Sequence, residues 1–399
     1  MTPAPIMRAL VWWLVVGTAC DPEPTRSGAL ASAAVEPRVD ASAVVAKFQC
    51  TRCHEVPGVA AAPRDKHCVQ CHRDILDGHF DVDPDALAGW QQRIHSLPYA
   101  PSLAASDRLR RAWVAAFLRA PHDVRPGLVA EMPRLAIAEA EAEQLARALV
   151  PRDDRASMVD ARPDQLAYGE ALYRGLGCAR CHRFTGATVD DPAVHARAGT
   201  PISEPWALAP DLRFARDRVQ PSRLAAWIEQ PRGAMPALGV TRAQAEALAA
   251  FVAATPLQPL APRPIVNRPP HLARVVTWDE VERRVFRNMC WHCHAVPDFA
   301  RADGGPGNSG GFGFAPRGLD LSSYTGAASG SLDDRGERRS IFAPLADGTP
   351  RVVAHLLARH AEEAGHPVEG VRGMPLGLPP LSIEDIQLVD TWIAQGRRR

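Results

Sequence analysis

The sequence has almost no net charge, since 46 Lys and Arg stand against 45 Asp and Glu, a balance of +1. That excludes the broad basic face of a nucleic-acid binder and the one-sided field that would draw a strongly acidic partner. The apolar run at the N-terminus, Ala9 to Val16 (ALVWWLVV), is also short of the about 20 residues that a bilayer-spanning helix needs. Behind Arg8 it reads as the h-region of a cleaved export signal. Methionine is scarce: beyond residue 19 only Met132, Met158, Met235, Met289 and Met374 remain. Long uninterrupted helices and extended sheets are disfavoured by 37 prolines, which break helices and cannot donate to a strand ladder. Nor does a chain of 399 residues form one core. Chains beyond about 250 to 300 residues split, so two to four domains are expected.

Against these absences stand nine cysteines, eight of them in four C-x-x-C-H strings. The strings are Cys50, Cys53, His54; Cys68, Cys71, His72; Cys178, Cys181, His182; and Cys290, Cys293, His294. Two thiols on one short turn can form thioethers with the two vinyl groups of haem, and the adjacent His then ligates the iron from one side. Four covalently bound haem c groups are therefore expected. The first pair of strings approaches zinc-ribbon spacing, and eight exported cysteines could form four disulfides. Neither alternative explains a His directly after every second Cys.

The ninth cysteine, Cys20, follows the small residues Gly17, Thr18 and Ala19. This stretch resembles a bacterial lipoprotein box, although that box usually has an aliphatic residue where Gly17 stands. The resemblance implies lipidation at Cys20 and attachment to a membrane. Residues 21–40, rich in Pro, Glu, Ser, Ala and Arg, have the composition of a disordered tether.

Each iron needs a ligand on its other side, and Met and His are the usual choices in electron-transfer cytochromes. Three of the methionines lie in Met-Pro pairs, Met132-Pro133, Met235-Pro236 and Met374-Pro375, each downstream of a haem string and just before an amphipathic pattern. Repetition favours these three as ligands over core filler. Met158 and Met289 lack that context and read as packing residues.

Residues 160–256 resemble a monohaem class I cytochrome c domain. The resemblance is carried by Tyr168, Gly169, Leu172 and Tyr173 before Cys178, by Ala209-Pro210-Asp211-Leu212 after the string, by Leu224 to Pro231, by Met235-Pro236, and by Thr241 to Ala254. It implies that Gly169 lets a C-terminal helix cross closely and that the Pro210 carbonyl orients His182. The same order recurs with Ala100-Pro101, Trp113 to Pro121, Met132-Pro133 and a helix near 136–150. It recurs again with Ala315-Pro316, Met374-Pro375 and Ser382 to Gly396, so the repeat is one of domains.

The fold class expected is mainly α: three cytochrome c-like helical domains around covalently bound haems, with long irregular Pro- and Gly-rich loops. The boundaries are a signal at 1–20, the tether at 21–40, a dihaem domain at 41–152, the class I domain at 160–256, a Pro-rich linker at 257–275 and a monohaem domain at 276–399. The last carries a Gly-rich insertion, Gly304 to Gly313, and three further histidines, His355, His360 and His366, any of which could compete with Met374.

Between His54 and Cys68 stand 13 residues, too few for a second domain, so two haems share the first fold. The 29 residues from His72 to Pro101 are close to the 28 from His182 to Pro210, which favours the second haem for Met132, whereas the only helical lead-in, Ala41 to Gln49, precedes the first; the spacing is preferred. The leftover haem then needs a His. Among His67, His79, His95 and His122, the order is His95, then His79.

These features imply a periplasmic electron carrier, or the cytochrome subunit of an oxidoreductase, with redox proteins as partners and no nucleic acid. The alternative is a haem enzyme of peroxidase type, which needs one open iron with acid-base residues above it. No catalytic constellation is visible outside the haem strings.

Overall fold

A computed structural model describes residues 39–399 except 95–98, 126–130, 154–160, 192–208, 234, 262 and 297–304. The signal, Cys20, His95 and Met158 lie outside the described residues, as does all but the end of the tether. The described chain is mainly helical, and its only named strands are the two-residue antiparallel pair Ser331–Leu332 and Arg338–Arg339. Among the described residues no helix is long and apolar enough to cross a membrane.

Apolar side chains collect in three separate cores, each drawn from one stretch of sequence. Val44, Phe48, Val114, Leu118 and Leu145 form the first. Tyr173, Phe184, Leu224, Leu248 and Phe251 form the second. Trp278, Phe286, Val353, Ile386 and Trp392 form the third. The three surrounding regions are called modules below.

Local chemistry explains the helices of the middle module. Pro163 starts the helix Pro163–Gly175 at a position where no N–H is needed. The helix Arg242–Ala254 is opened by a reciprocal cap: the Gln244 N–H donates to Thr241 Oγ1 at 3.3 Å, and the Thr241 N–H donates to Gln244 Oε1 at 2.8 Å. The two helices cross at Gly169, where a β-carbon would stand 2.7 Å from Phe251 Cβ and overlap the Ala247 carbonyl. Gly169 is thus the crossing residue the sequence pattern implies.

The third module has its own entry. The helix Trp278–Val281 widens into a π-helix, Glu282–Cys290, and the Trp291 N–H reaches five residues back to the Phe286 carbonyl at 2.9 Å. Its last helix, Ile383–Ala394, is capped by Ser382 Oγ, which accepts from the Asp385 N–H at 3.1 Å. The Pro-rich stretch, from Arg268 onward, is strapped to this helix. Arg268 makes a two-point bond to buried Asp390 at 2.6 and 2.8 Å, and the Leu272 N–H donates to Thr391 Oγ1 at 3.0 Å.

The first module touches both others. Toward the second it forms a β-bridge between Leu109 and Val219, and the buried Gln220 amide donates to the carbonyls of Asp107, Leu109 and Arg152 at 2.8 to 2.9 Å. Toward the third, Glu362 pairs with Arg134 at 3.2 Å, and Gly377 packs where a β-carbon would stand 2.7 Å from Pro133 N. Residues 37–399 accordingly make one compact unit.

Candidate functional site

Three of the four strings close on themselves in the same way. The His54, His182 and His294 N–H groups return to the carbonyls of Cys50, Cys178 and Cys290 at 2.9, 3.0 and 2.8 Å. In the first and third strings a left-handed residue sets up the turn, Gln49 at φ 53° and Gly177 at φ 70°. Glycine adopts that conformation without strain, whereas Gln49 is held there with its side-chain oxygen accepting from Arg52 at 3.3 Å. The second string is built differently. Cys68, Cys71 and His72 lie on one α-helix, Cys68–Leu76, whose N-terminus His67 caps by accepting from the Gln70 N–H at 3.1 Å.

The imidazoles are then aimed from behind. His54 Nδ1 bonds the Pro101 carbonyl at 2.8 Å, and His182 Nδ1 bonds the Pro210 carbonyl at 2.8 Å. A carbonyl on Nδ1 requires the proton there and leaves the Nε2 lone pair for a metal. Burial, partly offset by Pro101, holds the His54 pKa below its usual value and keeps the ring neutral. The pairing also corrects the spacing argument: Pro101 belongs to His54 and not to His72. The second string lies between His54 and Pro101 in the chain, so the similar spacing from His72 does not mark a partner.

Burial lowers the pKa of His294 to about 4, partly offset by the Gly307 backbone and with a smaller downward push from nearby His355. His294 makes no hydrogen bond to Pro316 among the described residues. Gly307 of the Gly-rich loop lies against it instead, where a β-carbon would stand 2.6 Å from the Cys293 carbonyl and overlap the ring. The loop's glycine content is thereby explained at this residue, since any side chain would push the imidazole away.

The thiols are disposed for attachment. None of the eight described cysteines forms a disulfide, and no group of three or more His, Cys, Asp and Glu converges into a bare metal site among the described residues. Burial pushes the Cys50 thiol up to about 11 and the Cys290 thiol up to about 12. Cys53 is raised further, first by its hydrogen bond with the Cys68 thiol, so the first two strings touch. Paired thiols, a neutral imidazole on the same turn and a bonded Nδ1 together fit covalent haem at the first and third strings.

Met132 and Met374 are half-buried against the first and third cores, and Met235 is half-buried in the second module. Met374 lies in a clamped segment. Its N–H donates to the His355 carbonyl at 2.9 Å, the Gly373 N–H donates to Glu362 Oε1 at 2.8 Å, and the Arg372 carbonyl bonds His355 Nδ1 at 2.6 Å. Of the other histidines there, His360 spends Nε2 on the Leu381 carbonyl at 2.8 Å, and His366 is exposed. In the first module His79 is exposed, and His122 packs its ring on Phe117 and Phe214.

One residue beside a haem string escaped the sequence reading. His292, between the last two haem cysteines, lies beside His72 of the second string. Its only sequence signal is its place inside a haem string, which does not say what it faces.

A family model described as cytochrome C oxidase, cbb3-type, subunit III matches residues 164–252, less than a quarter of the chain. The match supports a c-type cytochrome domain over that stretch, and with it covalently bound haem iron and electron transfer to redox partners. No curated protein and no solved structure matches the chain.

Proposed function

We propose that the chain is an exported tetrahaem c-type cytochrome that passes electrons between redox proteins in the periplasm, held at a membrane through lipidated Cys20. The observation that carries this reading is the repeated pair His54–Pro101 and His182–Pro210, each 2.8 Å from Nδ1 to a proline carbonyl. The second of these lies within the stretch that matches a cytochrome c family, and the first lies outside it. The shared device supports extending the same chemistry to the first module.

Bound haem supplies a one-electron iron couple. The chain supplies everything that tunes it. Cys50 and Cys53, Cys68 and Cys71, Cys178 and Cys181, and Cys290 and Cys293 tether the four groups. His54, His72, His182 and His294 each offer Nε2. Met132, Met235 and Met374, one in each module, would offer thioether sulfur to a haem of that module, and sulfur favours the ferrous state. The cores beside Cys50, Cys178 and Cys290 exclude water, which would limit the reorganisation that accompanies each change in iron charge.

Mass spectrometry of the exported protein tests the count. Four covalent additions of about 616 Da each are expected, one per string. Three or fewer overturn the reading.

A further inference from the structure

We propose that His292 is the second axial ligand of the haem held by Cys68, Cys71 and His72, so that one iron is bound by two modules. This inference rests on the tetrahaem reading and assigns the ligand which that reading leaves open.

The geometry is direct. The His72 and His292 rings lie with centroids 6.2 Å apart and planes inclined by 51°. Metal–imidazole bonds run about 2.0 Å, and a ring nitrogen lies about 1.1 Å from its ring centre, so two imidazoles in line across one metal stand about 6.2 Å apart. Rotation about the metal–nitrogen axis breaks neither bond, so a tilt between the planes is allowed. Distance alone would not suffice, because Trp113 and His122 stand 6.3 Å apart in an ordinary edge contact. The difference is chemical: both partners here are imidazoles, and one already completes a haem string.

Local structure explains why His292 turns toward another module. Cys290, Cys293 and His294 converge on their own haem, and residues one and two positions after Cys290 face elsewhere. Trp291 goes to the third core, with its indole N–H donating to the Leu321 carbonyl at 2.8 Å. His292 stays exposed and meets the first module at the helix Cys68–Leu76. The neighbouring contacts hold that register. Gly313 packs on Phe48 and Ala136, and the Ala136 N–H donates to the Phe312 carbonyl at 3.4 Å.

Three described histidines of the first module are committed elsewhere, and His95 lies outside the described residues. His54 holds Pro101, His67 caps its helix and His122 packs on two phenylalanines. A haem bound by His72 and His292 would adjoin two others, through the Cys53–Cys68 thiol contact on one side and the Cys290–His294 turn on the other. It would wire the first module to the third.

The test uses the full exported protein, with covalent haem counted by mass in every variant. In His292→Ala the count should stay at four, while one haem becomes high-spin and binds carbon monoxide, about a quarter of the total haem signal. The lowest-potential step of a redox titration should move, and His79→Ala should leave it in place. Where the alanine variant does not fold, His292→Met is read instead. It should convert one bis-His haem to His/Met, adding charge-transfer absorbance near about 695 nm and raising the lowest step. Four haems with all irons low-spin and the lowest step unmoved in the variant overturn the proposal. A wild type lacking haem on Cys68 and Cys71 overturns the tetrahaem reading itself, which the mass shows separately.

Discussion

Met374 is presented by its neighbours rather than by packing of its own. His355 holds the segment at two points, through its carbonyl to the Met374 N–H and through Nδ1 to the Arg372 carbonyl. That bond leaves the Nε2 lone pair available, as in His54 and His182, so His355 and the Met374 thioether are rival candidates; the proposed reading makes the thioether the ligand and His355 a positioning residue. Met374→Ala should therefore remove about a third of the charge-transfer absorbance near about 695 nm and lower one potential. His355→Ala should shift that absorbance without abolishing it. Full loss in His355→Ala with none in Met374→Ala would make His355 the ligand.

The middle module shows how a pair of elements depends on one missing atom. Gly169 lies where Pro163–Gly175 crosses Arg242–Ala254, and an added methyl would press on the Ala247 carbonyl and Phe251. Overpacking of this kind costs about 1–3 kcal/mol. Gly175, at the end of the same helix, has nothing within 4 Å of a built β-carbon. There alanine gains about 0.5–1 kcal/mol of helix propensity. Thermal unfolding should consequently fall for Gly169→Ala and hold or rise for Gly175→Ala. A drop of equal size in both would mean that the crossing is not what Gly169 serves.

At the scale of the whole molecule, one carboxylate links two modules. Glu362 is only 6% exposed, yet it accepts the Gly373 N–H, pairs with Arg134 of the first module at 3.2 Å and lies 3.7 Å from Arg359. Removing one partner from a buried pair costs about 3–5 kcal/mol, because the remaining charge loses its compensation. Arg359 keeps Glu363 at 2.6 Å and Arg134 is partly exposed, which places Glu362→Ala at the lower end. Its urea midpoint should fall, with Glu362→Gln in between, and proteolysis should separate the first and third modules sooner. An unchanged midpoint in the alanine variant would remove Glu362 from any role in holding the modules together.

The sequence by itself determined what is local. Haem attachment needs two thiols and an imidazole within five residues, so all four strings were legible. Caps such as Thr241 with Gln244, and Ser382, span a single turn and were legible too. Gly169 was readable because a familiar order of motifs surrounds it. What only the tertiary structure decided are the partners brought by chain closure across many residues. Pro101 lies nearer in sequence to His72 but bonds His54, because the chain carrying the second string on the helix Cys68–Leu76 returns to the first. His292 carries no mark of its direction, since a residue inside a haem turn faces away from its own haem toward whatever docks there. That docking depends on Glu362, Arg134, Gly377 and Pro133, which come from modules distant along the chain. On the proposed reading, the second side of one iron depends on how the modules pack, whereas the first side of each is a property of five consecutive residues.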